Sequence, residues 1–472
     1  MSKTAITPTR EENFSDWYQN VIVAAGLAEN SPVRGCMTFM PYGWAIWELI
    51  RNEMDKRIKA EGVQNACFPL LIPTEFLSRE AEHVDGFAKE CAVVTHHRLK
   101  MIDGKLQPDP DALLTDTYVI RPTSETIIGE AMSRWVQSYR DLPMKLNQWV
   151  NVMRWEMRTR MFLRTSEFYW QEGHNAFASA DEARSDARKM HAMYQKFFRE
   201  ILALEPVMGE KVPEERFAGA DNSYSLECIM QDGKALQAGT SHYLGQHFSN
   251  AMNIKYLGAD GELHLAHTTS WGVSTRMMGG IIMSHSDDDG LVLPPAIAPY
   301  QVVIIPIMPE QNEYAREVAA KLDGLRVFVD DSDARSSDKM WKWIKKGVPL
   351  RVEVGAKEQA AGAVSITRRD IGKASQKTIA IADLTKSVMD LLQQMQKDLL
   401  SAAAERNGTL IHNVKDFAEL ESALMMGKIG FFRLPYAETK CEEFARLMEE
   451  YKISWRCLDD ADDKFVFVAK SY

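Results

Sequence analysis

Between Val152 and His174 the chain reads VMRWEMRTRMFLRTSEFYWQEGH, with four arginines, three glutamates and five aromatic residues. This stretch is neither an amphipathic helix nor an ordinary buried strand, and it divides into two strands around an Arg-rich loop. Arg154 and Glu156 lie two apart, so on a strand their side chains share one face. Arg164 and Phe168 sit on the returning half, and Arg158 and Arg160 fall in the loop between them. A guanidinium offers a rigid fork for phosphate or carboxylate, a carboxylate accepts from an exocyclic amine, and a ring offers a base a stacking face. The set suits a nucleotide, although a hairpin laced with surface ion pairs gives the same pattern.

The rest of the chain narrows what such a hairpin belongs to. At 472 residues it is too long for one core, so two or three domains are expected. No run of about 18 apolar residues occurs, so no membrane span is predicted. The first twenty residues lack the basic-then-apolar order of a secretory signal. Six cysteines are scattered without a C-x-x-C, which points to a reducing cytoplasm. A net charge of −10 disfavours a general nucleic-acid coat but leaves room for a local basic groove. One candidate is KMWKWIKKGVPLR, Lys339 to Arg351, which a solvated amphipathic helix would also explain.

Gly62 to Pro73 (GVQNACFPLLIP) reads as a strand ending at prolines, which suits a sheet edge or an interface. TDTYVIRPT predicts a strand, and SETIIGEAMSRWVQSYRDL predicts a helix with Ile127, Ile128, Ala131, Trp135, Val136 and Tyr139 at helical spacing, capped by Thr123 or Ser124. The opening stretch, DGKALQAGTSHYLG and LHLAHTTSWGVSTR are extended pieces broken by Gly, Ser and Thr, and together they predict an antiparallel sheet carrying a site. After Pro294 and Pro295 the pattern alternates β and α, as a separate α/β domain would. The predicted units are 1–297, 298–400 and 401–472, an α/β multidomain protein whose first unit is α+β.

Thr123 and Glu125 stand at a strand-to-helix junction, where they could receive an ammonium or simply cap the helix. Gln237, Thr240 and His242 are read in alternation along one strand face, and Arg276 opens a helix after small residues. No P-loop, Rossmann fingerprint, H-E-x-x-H or G-x-S-x-G occurs. A nucleotide would therefore bind on a sheet through arginines.

These segments resemble, in order, the three signatures of the class II aminoacyl-tRNA synthetases: GVQNACFPLL, RWE…RTSEF and SWGVSTR. RPTSET, LNQW, WQEGH, FAGA, DGKALQAGTSHYLG, HTTSWG, GLVLPP, KGVP and AKSY resemble prolyl-tRNA synthetases of the archaeal/eukaryotic-like type. The likeness covers nearly the whole chain and is strongest up to Gly355. It implies an antiparallel catalytic sheet flanked by helices, an α/β anticodon-binding domain and a small C-terminal domain.

By that resemblance Arg154 contacts the α-phosphate of ATP and the amino acid carboxylate, and Arg276 grips the γ-phosphate. Glu156 would hold the adenine amine, Phe168 would stack on the base, and Arg164, Thr165 and Ser274 would line the nucleotide. Gln237 and Thr240 fall at ATP positions, with Gln237 near Mg2+. Thr123, Glu125 and His242 fall at proline positions, and Trp170 and Glu172 would wall that pocket while Tyr169 faces the other side of the sheet. Arg158 and Arg160 would meet the tRNA acceptor end, and Lys346 and Arg351 the anticodon. The implied partners are L-proline, ATP and tRNA(Pro), with a homodimer formed through Gly62 to Pro73.

The chemistry agrees. An amino acid carboxyl, with a pKa of about 3.5, is already a nucleophile at neutral pH. Cations and alignment are what its attack on phosphorus requires. A pocket for the small ring cannot strongly reject alanine, since each missing methylene costs only about 1–3 kcal/mol. Phe177 to Phe217 is nevertheless too short for an editing insertion, so no cis-editing is expected.

Three departures stand out. Of the four cysteines of the family's zinc site only Cys441 has a counterpart; Tyr436 replaces its partner and Cys457 reads as a core thiol, so no zinc is expected. Ile344 replaces a carboxylate used near the anticodon. Ser274 and Ser286 replace glycines. Rival readings are a paralogue that passes proline to a carrier protein and a non-catalytic regulator.

Overall fold

The computed structural model describes residues 4–79 and 90–472. Its largest sheet has seven strands: β1 (Gln64–Asn65), β2 (Met144–Met153), β3 (Glu167–Phe177), β4 (Val207–Glu210), β5 (Asn222–Ile229), β6 (Ala235–Gly245) and β7 (His267–Ser274). The order is β4-β5-β6-β7-β3-β2-β1, antiparallel throughout except for the β1–β2 pair. This is the predicted antiparallel sheet.

Around it lie α1 (Phe14–Ala25), α2 (Pro41–Ala60), α3 (Glu125–Trp135), α4 (Ala180–Glu200) and α5 (Arg276–His285). Asn13 caps α1 by accepting from the Asp16 amide at 3.1 Å, and Gly26, at φ 65°, closes it. Helix α4 starts at a Ser179 cap and buries Ala183, Ala187, Met190, Tyr194, Phe197 and Phe198 at helical spacing. Covered on that side, β3 is buried on both faces from Gln171 onward.

Two predicted elements differ. Gly62 to Pro73 is not one strand: Gln64–Asn65 joins the large sheet, while Leu71–Pro73 joins a separate three-stranded sheet with Leu113–Ile120 and Val93–His96. Pro69, which has no N–H to give a ladder, stands between the two pieces. Helix α3 ends at Trp135, the twelfth residue of the predicted run, and Trp135 and Tyr139 are exposed.

The second unit is a five-stranded sheet of β8 (Val302–Pro306), β9 (Val327–Val329), β10 (Leu350–Val354), β11 (Ala363–Arg368) and β12 (Lys377–Ala380), in the order β9-β8-β10-β11-β12. Helix α6 (Ser336–Lys345) packs on β8. Helix α7 (Leu384–Leu410) runs on into the third unit, so the expected join at residue 400 lies inside a helix. The third unit is a sheet of β13 (Ile411–Asn413), β14 (Phe431–Pro435), β15 (Ile453–Asp459) and β16 (Asp462–Lys470), in the order β13-β14-β16-β15. Strand β15 rests against β4 and β5, where a Cβ on Gly209 would meet the Leu458 carbonyl oxygen at 1.8 Å. None of the helices among the described residues is long and apolar enough to cross a membrane.

Candidate functional site

A cavity of about 510 Å³ opens on the face of the large sheet, between β3, β6 and β7 and the segment 211–218. The β2–β3 hairpin supplies its cationic centre. Ladder pairing stops at Met153 opposite Glu167, so Arg154 lies one residue beyond the strand. There its Nε donates to the Pro122 carbonyl at 2.8 Å. Its guanidinium carbon is 5.5 Å from the Phe168 ring centre and 5.4 Å from that of Trp170. Arg276, the first residue of α5, donates to the carbonyls of Leu163 at 3.3 Å and Gln237 at 3.2 Å. Burial pushes the Arg154 guanidinium down to about 10, with Glu125 and Glu172 acting in the opposite direction, and it stays charged at neutral pH. Burial and the nearby Arg164 lower Arg276 as well.

Acidic and aromatic groups line the same cavity. The Thr123 hydroxyl donates to the Glu125 carboxylate. Neither Thr123 nor Ser124 caps α3, because the Ser124 hydroxyl donates to Glu172 at 2.5 Å. Gln148 donates to the same Glu172 oxygen at 2.6 Å, and His174 Nε2 lies 3.0 Å from the other. Burial works against the Glu172 charge, but these contacts, His174 foremost, outweigh it and hold the carboxyl below its ordinary range. Burial likewise opposes the His174 charge, yet contact with Glu172 pushes that imidazole up. His242 is driven down to about 3, first by burial and then by Lys211 and His174, so it is neutral. Its nitrogens bond to the hydroxyls of Ser223 and Thr240, and Phe217 packs 4.8 Å from its ring.

Backbone detail aims these groups. Gln237 and Thr240 are three apart, which on a regular strand would put them on opposite faces. A β-bulge at Ala238 absorbs one residue, and Gln237, Thr240 and His242 all line the cavity. Gly173 leaves room for the Trp271 ring, since a Cβ there would stand 2.0 Å from it.

Residues 110–285 match the family model of the class II tRNA synthetase core domain (G, H, P, S and T), and residues 301–391 match that of an anticodon binding domain. The proline–tRNA ligase of Bdellovibrio bacteriovorus is 48% identical over 97% of this chain and 94% of its own. That of Paramagnetospirillum magneticum is 53% identical over 85% and 82%. The chain belongs to the proline–tRNA ligases. A crystal structure of the prolyl-tRNA synthetase from Cryptosporidium parvum, complexed with halofuginone and AMPPNP, matches at a TM-score of 0.91 and 34% identity, over 99% of both chains.

Of the residues expected in this ligase's site, Thr123, Glu125, Arg154, Phe168, Trp170, Glu172, Gln237, Thr240, His242, Ser274 and Arg276 line the one cavity. Tyr169 packs on the opposite face against Phe39 and Trp44. Three expected nucleotide residues stand outside the lining. Glu156 accepts from the Arg158 amide at 2.7 Å and lies 4.0 Å from the exposed Arg164. Thr165 faces a separate cavity of about 340 Å³ with Ser15, Gln19 and Arg160. Sequence reasoning did not single out His174, Lys211, Phe217 or Trp271, which also line the main cavity. Their signal was present only as members of WQEGH, FAGA and SWG, and Lys211 carried none.

The anticodon-domain residues are placed less uniformly. Lys346 turns to the catalytic unit, where its Nζ donates to the Ala25 carbonyl at 3.0 Å and lies 4.4 Å from the Tyr42 ring centre. Arg351 pairs with Glu353 at 2.7 Å beside a small cavity lined by Ile344 and Arg369. Cys457 is fully buried and Cys441 is exposed. Among the described residues no group of three or more His, Cys, Asp and Glu is arranged to hold a metal ion.

Proposed function

We propose that this ligase joins L-proline to tRNA(Pro) in two steps, in the cytoplasm. The proline carboxylate attacks the α-phosphate of ATP, pyrophosphate leaves, and a hydroxyl of the terminal tRNA adenosine then attacks the prolyl carbonyl and releases AMP. The observation that carries this reading is that one cavity brings together two guanidiniums, the Glu172 carboxylate held ionised and several aromatic rings. Arg154 and Arg276 would stabilise charge gathering on phosphoryl oxygens, and Arg154 would also align the attacking carboxylate. Glu125 and Thr123 would take the two N–H bonds of the protonated ring nitrogen. Trp170, Glu172 and the neutral His242 would enclose the ring, Phe168 would stack on adenine, and Ser274 and Thr240 would flank the nucleotide. Glu156, Arg164 and Thr165 would close on it from the hairpin loop.

A magnesium ion bound through ATP fits the donors. Gln237 lines the cavity and offers an amide oxygen. Oxygen donors of this kind suit Mg2+, which would neutralise phosphate charge there. No zinc is proposed, and stoichiometric zinc in metal analysis would overturn that.

Arg351 would contact the anticodon, with Lys346 behind it at the domain junction. The span from Phe177 to Phe217 is filled by α4, β4 and one short turn, which supports the absence of a cis-editing domain. Hydrolysis of alanyl-tRNA by the isolated protein would count against it. Exposed Leu70 and Leu71, together with the apolar side chains of Val93 to Leu113, support a homodimer through this region. The deciding test is proline-dependent pyrophosphate exchange followed by charging of tRNA(Pro) transcripts with altered anticodons. Both activities are expected; exchange without charging would favour transfer to a carrier protein.

A further inference from the structure

Between β4 and β5 the chain passes back and forth between the cavity and the C-terminal unit. Lys211 is buried and lines the cavity. The next residue, Val212, is fully buried in the hydrophobic core of the C-terminal unit, among Leu420, Phe432, Phe444 and Val468. Glu214 also faces that unit: its carboxylate accepts from Lys440 Nζ at 2.7 Å and from the Tyr436 hydroxyl at 3.2 Å. Lys440 Nζ lies 2.5 Å from the Tyr436 oxygen as well. Glu215, Arg216 and Phe217 then return to the cavity, where Phe217 packs on His242.

Among the described residues this segment has one short turn, Pro213–Glu215, as its regular structure, so its own hydrogen bonds do little to hold it. Ordering such a loop costs roughly 1–2 kcal/mol per residue, and contacts outside it must offset that cost. Some come from the flanking strands, where the Ser223 hydroxyl accepts from the Phe217 amide at 3.0 Å and Glu210 accepts from Arg216 at 2.9 Å, and the rest come from the C-terminal unit. A buried polar tie adds to them, since Lys211 Nζ is 3.7 Å and Arg456 Nη1 3.9 Å from the Glu227 carboxylate.

We propose that the C-terminal domain is a positioning element for this wall of the amino acid pocket, with Val212 as the apolar anchor and Glu214, Lys440 and Tyr436 as a polar latch. Tyr436 stands where the family resemblance places a zinc cysteine, so in this chain the position serves the latch. The inference rests on the reading of the cavity as the proline-activating site. An ordered wall raises affinity for the ring by removing the cost of ordering it at binding.

The test is pyrophosphate exchange by the full chain, with proline and ATP varied separately. Glu214 and Lys440 are about half exposed, so Lys440→Ala is expected to raise the proline KM by about two- to five-fold. The ATP KM and kcat should stay unchanged, and Lys440→Arg should restore the proline KM. Val212→Ala should raise the proline KM further. A wild-type proline KM in both Lys440→Ala and Val212→Ala, each folded by circular dichroism, would overturn the proposal. So would parallel rises in both KM values with a lowered Tm, which mark general destabilisation. If Val212→Ala does not fold, Lys440→Ala decides alone. A wild-type chain without proline-dependent exchange would instead overturn the underlying reading.

Discussion

In the proposed mechanism Arg154 concentrates most of the chemistry in one side chain. It is a planar cation set beside two rings, with its Nε donating to the Pro122 carbonyl, and it lines the cavity. A lysine keeps the charge but loses the fork and the stacking. Arg154→Lys is therefore expected to lower the rate of pyrophosphate exchange by about 10²-fold or more, the usual cost of a lost transition-state donor. Native-like circular dichroism would show that the loss is chemical. His174 supports a second prediction. Its pKa is raised above 6.5 in the folded chain, so the stability it contributes is full below 6.5 and is lost as pH rises through the raised value. Glu172, whose pKa is lowered from 4.5, contributes stability above 4.5 that is lost as pH falls through its folded value. The Tm difference between wild type and His174→Gln should thus be largest between these limits and shrink on the alkaline side. A difference that grows from pH 7 to 9 would contradict the ion pair.

The hairpin that opens the sequence reading also shows how far residues alone can reach. Its two strands, the loop between them and the opposite orientations of Trp170 and Tyr169 were legible, because period-two alternation and charge survive translation into structure. The strand end was not. Arg154 and Glu156 lie past the last ladder pair, in a loop whose course is set by tertiary bonds such as Glu156 N–H to the Ser166 hydroxyl at 3.2 Å. Likewise, nothing local announced the bulge that brings Gln237 and Thr240 to one face, or the early stop of α3. Ser124 looked like a cap because Ser before a helix usually is one, yet the buried Glu172 carboxylate takes its hydroxyl. Packing between strands is equally invisible from sequence. Gly173 sits where β3 crosses under Trp271, and Gly173→Ala would drive a methyl into that ring. The variant should unfold about 1–3 kcal/mol more easily in a urea titration, the range for an overpacked core. An unchanged midpoint would mean that the indole can shift.

At the scale of the molecule, the units meet at the ends of the elements that carry the site. The fork of Arg369, from the anticodon domain, holds Asp287 with bonds of 2.6 and 2.7 Å, two residues beyond the end of the helix that Arg276 begins. On the other side, the three-stranded sheet ends at Ile120, and the chain then enters the cavity at Thr123 and Glu125. That sheet and the hairpin inserted in it, Leu99–Ile102 paired with Lys105–Pro108, expose Leu71, Val93, Leu99, Met101, Leu106 and Leu113, the last two at 65% and 63%. So many large exposed apolar side chains in one region mark an interaction surface. If a second copy covers them, the partner also steadies the strand that delivers Thr123 and Glu125. Replacing Leu99 and Leu106 together with aspartate should then have two coupled effects. Sedimentation equilibrium should shift from the dimer mass to the monomer mass, and the proline KM should rise, because ordering of that strand would fall on substrate binding. A double variant that stays dimeric would move the interface away from the hairpin, and a monomer with an unchanged proline KM would separate assembly from the site.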